Sequence, residues 1–228
     1  MTTTHAGSRR IRVLLVDDQP LLRMGFRMVL DAEADLTVVG EASDGAEAIR
    51  AAHALDPDVI LMDVRMPGVD GIEATRRIAD SPSVARIIIL TTFDLDEYAF
   101  AGLRAGASGF LLKNAEPSEL VAAIRTVAAG DASVSPRVTR RMLELFGAQL
   151  PGAATDAAPA RSDRLAALTD REREVFLAIA EGLSNPELAS RFFLSESTVK
   201  THVGRILFKL DLRDRVQAVI LAYDLGLA

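Results

Sequence analysis

Five short runs of uninterrupted aliphatic residues constrain this chain more than any other feature: RVLLV (12–16), LTVVG (36–40), VILM (59–62), RIIIL (86–90) and GFLL (109–112). They are continuous, not alternating, which is the pattern of strands buried on both faces. Between them lie stretches with helical periodicity, such as Leu21, Leu22, Phe26, Val29 and Leu30. Repeated β–α units predict a parallel sheet, and five of them in about 120 residues predict an open doubly wound α/β domain over residues 10–130. In such a sheet the working residues sit at the C-terminal ends of the strands.

After Gly130 the pattern loosens. A short apolar helix is expected at 138–146, and residues 147–163, GAQLPGAATDAAPARSD, read as a linker rich in Ala, Pro and Gly. Residues 131–164 therefore separate the sheet domain from a second domain, 165–228, which has no strand signal. Three helix starts are expected there: a capping box at Thr169 and Glu172, an N-cap at Asn185 before Pro186 and Glu187, and an N-cap at Ser195. A fourth helix, about 214–225, places Val216, Val219, Ile220 and Tyr223 on one side.

Composition narrows the chemistry. With 49% hydrophobic and 25% charged residues the 228-residue chain is ordinary globular material. The absence of cysteine excludes thiol nucleophiles, cysteine-ligated zinc, iron–sulfur clusters and disulfides. The first ten residues carry no apolar segment and the longest aliphatic runs are strand-length, so a cytoplasmic protein with no membrane association is expected.

The strand ends carry the chemistry of the first domain. The first strand runs into Asp17 and Asp18, the third into Asp63, the fourth into Thr91 and Thr92, and the fifth into Lys113. With the strand order 2-1-3-4-5, strands one and three are neighbours and the carboxylates converge. Their mutual repulsion would be relieved by a hard divalent cation, with Mg²⁺ the natural choice. A carboxylate, a metal, a hydroxyl and an ammonium at one rim suit phosphoryl transfer onto Asp63.

DDQP (17–20), MDVRMPGVDG (62–71), LTTF (90–93) and GASGFLLKNA (106–115) resemble the receiver domain of two-component response regulators. The resemblance implies that Asp63 is the phosphoacceptor and that Asp18, Asp63 and the main-chain carbonyl of Arg65 ligate Mg²⁺, with Asp17 beside them. It also implies that Thr91 and Phe110 are switch residues and that Lys113 contacts phosphate oxygens. Asn114 stands where many receivers have proline, so no cis peptide is expected there. Arg65 and Phe93 flank the expected path of attacking water and should lengthen the phosphoryl lifetime.

In the second domain, Val199, Val203, Ile206, Leu207 and Leu210 form one buried helix face. The opposite face carries Ser197, Lys200, Thr201, Gly204, Arg205 and Lys209, small, hydroxylated or basic residues suited to a major groove. With the helix before it, this reads as a helix-turn-helix. Residues 168–223 are similar to the LuxR-type helix-turn-helix, and the whole chain resembles NarL/FixJ-family response regulators. That resemblance implies a sensor histidine kinase as partner, promoter DNA as target, and phosphorylation-controlled homodimerisation through the last helix. No enzymatic turnover is expected beyond its own phosphorylation and dephosphorylation. Two other readings stay open: an aspartyl-nucleophile phosphatase, and a DNA binder whose receiver no longer signals. Adjacent Asp17 and Asp18 pointing to different faces weighs against the phosphatase.

The net charge of −6 resides in residues 1–130, while residues 165–228 carry −1. Two of the three lysines, Lys200 and Lys209, lie on the third helix of the second domain. Indiscriminate coating of nucleic acid is excluded, and weak, salt-sensitive binding by a monomer is expected.

Overall fold

The computed structural model describes residues 9–92, 95–130 and 165–227, with the backbone alone at 95–97, 99–100 and 223. The helix expected at 138–146, the linker and Phe93 lie outside the described residues. The chain divides into two compact units, residues 1–133 and 134–228.

In the N-terminal unit, strands β1 (Ile11–Val16), β2 (Leu36–Ala42), β3 (Val59–Asp63), β4 (Arg86–Thr91) and β5 (Gly109–Leu112) alternate with helices α1 (Pro20–Asp31), α2 (Gly45–Leu55), α3 (Gly71–Ala79), α4 (Leu95–Arg104) and α5 (Pro117–Ala128). The sheet is parallel, in the order β2-β1-β3-β4-β5. Both faces are covered, which is why the strand runs are unbroken. Val13, Leu15, Val59, Leu61, Ile88 and Leu90 pack with Leu30 of α1 and with Leu120, Val121, Ile124 and Val127 of α5. The alternate residues Leu14, Ile60, Met62, Ile87 and Ile89 are equally buried on the other face.

Two local devices fix the strand ends. Asp44 and Asp70 cap α2 and α3 by accepting from the main-chain N–H of Glu47 and Glu73. Gly71 opens α3 so close to β3 that a Cβ there would lie 1.9 Å from the carbonyl oxygen of Asp63. Only glycine permits that approach, and the Gly71 N–H donates to the Val64 carbonyl at 2.9 Å.

The C-terminal unit consists of α6 (Asp170–Ala180), α7 (Asn185–Phe192), α8 (Glu196–Lys209) and α9 (Arg215–Asp224). Phe176, Ile179, Leu188, Val199, Val203, Ile206, Ala218 and Ala222 form its core. The Thr169–Glu172 capping box is present. The cap of α7 is Ser184, not Asn185: Ser184 and Glu187 form a second capping box, and Asn185 is the first helical residue. Ser195 caps α8 as expected.

All four of these helices end in the same left-handed bend, at Gly182 (φ 86°), Phe193 (φ 54°), Asp211 (φ 54°) and Gly226 (φ 64°). In each, the next residue's N–H reaches back five positions: Leu183 to Ala178, Leu194 to Ala189, Leu212 to Leu207 and Leu227 to Ala222. Arg171 ties α6 to the end of α7 by lying over the Phe192 ring at 4.5 Å and donating to the Phe192 carbonyl.

Candidate functional site

The pleat decides which strand-end side chains can meet. Side chains alternate along a strand, so Asp17, Asp63 and Lys113 continue the parity of Leu15, Leu61 and Leu111, on the α1 and α5 side. Thr91 and Phe110 share the opposite parity with Ile89. The ammonium of Lys113 bridges the first group, 2.7 Å from Asp17 Oδ2 and 2.9 Å from Asp63 Oδ2. Its stem is buried, as are both carboxylates.

Asp18 completes the cluster. One carboxylate oxygen from each of Asp17, Asp18 and Asp63 lies within 4.8 Å of the others, with Asp18 exposed. The expectation that Asp17 and Asp18 face different ways is therefore corrected. β1 ends at Val16, and although Asp17 keeps the parity of the strand, Asp18 does not take the opposite face, so both carboxylates turn to one rim. An all-oxygen set of clustered carboxylates fits a hard divalent cation.

Burial pushes the Asp63 carboxyl above the usual carboxylate range and the charge of Asp17 adds to this, against the pull of Lys113. For Lys113, burial works against the charged form, but hydrogen bonds to Asp17 and Asp63 outweigh it and hold the ammonium above its ordinary value. The Lys113 N–H also donates to the Thr91 carbonyl at 2.7 Å, tying β5 to β4 at the rim. Thr91 and Phe110 are both buried. Arg65 places its N–H 3.4 Å from Asp63 Oδ1, and its guanidinium donates to Thr92 Oγ1 at 3.1 Å. The described residues contain no cis peptide, Asn114 included.

In the C-terminal unit, Ser197, Lys200, Thr201, Gly204 and Arg205 form one exposed face of α8, opposite the buried Val199, Val203 and Ile206. Phe208 extends that face and is 87% exposed. Lys209 is separated from it: its ammonium lies 2.6 Å from the carboxylate of Glu172, holding α8 against α6. The hydrogen bond from Lys209 comes first among the causes that bring the Glu172 carboxyl down to about 2. The sequence assigned Lys209 to the basic face because its partner lies 37 residues away, where no periodicity reveals it.

On α9, Ala218, Leu221 and Ala222 face the core. The side carrying Val219 and Ile220 is half-buried, whereas Val216, assigned to the same side, is buried. The side chain of Tyr223 lies outside the described residues.

Residues 13–125 match the family described as the response regulator receiver domain, and residues 166–222 match the bacterial regulatory proteins of the luxR family. The chain is 48% identical to the uncharacterized transcriptional regulatory protein YxjL of Bacillus subtilis (strain 168), across 96% of this chain and 97% of that one. It is 42% identical to the nitrate/nitrite response regulator protein NarP of Escherichia coli (strain K12), across 92% and 93%. Among solved structures it resembles the response regulator ChrA of a heme-sensing two-component system, with 36% identity, a TM-score of 0.52, and coverage of 97% of this chain and 100% of that one. A receiver implies a kinase partner and a luxR-type module implies DNA binding. No helix among the described residues is long and apolar enough to cross a membrane. Because both modules are matched and the relatives align along nearly their whole length, this chain belongs to the NarL/FixJ family and is a response regulator transcription factor.

Proposed function

We propose that a partner sensor histidine kinase phosphorylates Asp63 and that this controls dimerisation and promoter binding by the C-terminal unit in the cytoplasm. The observation that carries the reading is the bridge from Lys113 to Asp17 and Asp63 at the end of a central strand. An Asp63 carboxylate oxygen attacks phosphorus, the donor's leaving group departs with its bonding pair, and an acyl phosphate forms. Asp17, Asp18, Asp63 and the Arg65 carbonyl would hold Mg²⁺, which supplies charge neutralisation when bound. Lys113 holds the acceptor in place beforehand and can follow the new phosphate oxygens, leaving Asp17. The Thr91 hydroxyl then moves toward the phosphoryl group, and Phe110 repacks on the face it shares with Ile89.

Phosphorylation pairs two chains through α9, using Val219, Ile220 and Tyr223, with Val216 buried on the same helix. Two copies of α8 then present Ser197, Lys200, Thr201, Gly204 and Arg205 to half-sites about one helical turn apart. The only covalent chemistry is the chain's own phosphorylation and dephosphorylation.

The test is incubation with acetyl phosphate and MgCl₂ followed by intact-mass measurement. One labile phosphoryl adduct is expected on the wild-type chain and none on Asp63→Asn. Full labelling of Asp63→Asn would overturn the assignment, and steady consumption of the donor far beyond stoichiometry would identify a phosphatase instead.

A further inference from the structure

The acidic rim depends on a loop of only three residues, Asp17, Asp18 and Gln19, between the end of β1 and the start of α1. Two of its three neighbouring carboxylates come from this loop, and like charges within 4.8 Å push it apart. The main chain of Asp17 is held on both sides. Its N–H donates to the Ala42 carbonyl of β2 at 3.2 Å, and its side chain accepts from the Gln19 N–H at 2.9 Å. Its carbonyl, having left the strand ladder, accepts from the guanidinium of Arg23 at 2.5 Å.

Arg23 lies one turn into α1 and is itself anchored. Its Nε pairs with Glu41 of β2 at 3.1 Å, and Glu41 stands opposite Leu15 in the sheet register. The Arg23 side chain is only 15% exposed. Arg27, one turn further along, pairs with the other oxygen of Glu41 at 2.7 Å but is 39% exposed, and no bond from it to the loop is present. The two arginines share an anchor and a charge, and only Arg23 touches the main chain of an acidic-cluster residue.

We infer that Arg23 is a positioning residue for the acidic cluster: braced by Glu41, it fixes the Asp17 main chain and so sets the affinity of the rim for a hard divalent cation. The inference rests on the metal reading given above. Charge and position make opposite predictions here. Arg23 is a cation near an anionic pocket, so by Coulomb's law its removal should tighten binding of another cation. A bracing role requires its removal to weaken binding, because the loop then relaxes under the repulsion of its own carboxylates.

The experiment is an amide NMR titration of the full chain with MgCl₂, which reads affinity and fold integrity without phosphoryl transfer. Arg23→Ala is expected to bind Mg²⁺ about tenfold more weakly, the scale of lost outer-shell partners. Arg23→Lys, which keeps the charge and one reach toward the carbonyl, should recover part of the loss. Arg27→Ala, which removes the same charge without touching the loop, should match wild type. Equal or tighter binding by Arg23→Ala would overturn the proposal alone. If Arg23→Ala fails to fold, Arg23→Lys decides: binding equal to wild type would overturn it and weakened binding would support it. A wild-type chain with no saturable Mg²⁺ binding would overturn the metal reading, and the proposal with it.

Discussion

Gly204 sits in the middle of α8 on its exposed face, and a Cβ built there meets nothing within 4 Å. The packing of this unit therefore gives no reason for glycine. An interior helical glycine costs about 1 kcal/mol relative to alanine, chiefly in backbone entropy. Gly204→Ala should thus stabilise α8 by about 1 kcal/mol with no clash to offset the gain. At RT of about 0.6 kcal/mol that slows exchange of the α8 amides about fivefold, provided α8 opens with its unit. In a unit of this size it also raises the melting temperature by about 4–8 °C. Hydrogen exchange followed by mass spectrometry on the full chain reads the first quantity peptide by peptide. Faster exchange would refute the reasoning, since it would mean that the added methyl meets something the structure leaves open. The same variant tests function. If the bare helix at 204 admits the duplex, Ala should weaken specific binding while stabilising the protein, and unchanged binding would show that the close approach is not used.

Lys200→Ala should weaken specific DNA binding by about 1–3 kcal/mol in a fluorescence-anisotropy titration at fixed salt, and unchanged affinity would make the α8 face merely solvated. Arg65→Ala should shorten the phosphoryl lifetime of the Asp63 adduct, because the guanidinium that leans over Thr92 would no longer impede water; a lifetime at least as long as wild type counts against the expectation. The Glu172 carboxyl titrates at about 2 when folded against an ordinary 4.5, so its contribution to stability is complete above 4.5 and disappears as pH falls toward 2. Urea midpoints of wild type and Glu172→Gln should accordingly differ most at neutral pH and converge in that acidic window; parallel curves would refute the coupling to Lys209.

How much of this was readable beforehand follows from the range of the interactions. The sheet was legible because strands buried on both faces must be aliphatic throughout, and the observed strands overlap the expected runs, several of them extending one or two residues beyond. The strand-end carboxylates and Lys113 were legible because topology alone brings those ends together. Ser184 was legible in principle: Ser184 and Glu187 repeat the spacing of Thr169 and Glu172, but the Asn185–Pro186 pair offered a competing start signal. The bond from Lys209 to Glu172 and the brace from Arg23 to the Asp17 carbonyl were not legible. Both depend on where a long flexible side chain turns after the elements have packed. The burial of Val216 escaped for a related reason, since periodicity ranks the faces of a helix but does not show what packs over each of them.

The left-handed bends of the C-terminal unit bear on how this protein can change over generations. Gly182 occupies its bend at little cost, whereas Phe193 and Asp211 hold a conformation that disfavours side chains, and Phe193, at 95% exposure, gains almost no burial in return. Aspartate and glycine codons differ at a single base, and phenylalanine and glycine codons at two. A lineage carrying this gene therefore keeps a gain in stability one base change away at Asp211 and a second, less accessible, at Phe193. Either could offset a destabilising substitution on the reading face of α8, so the unit can explore new operators without first losing its fold.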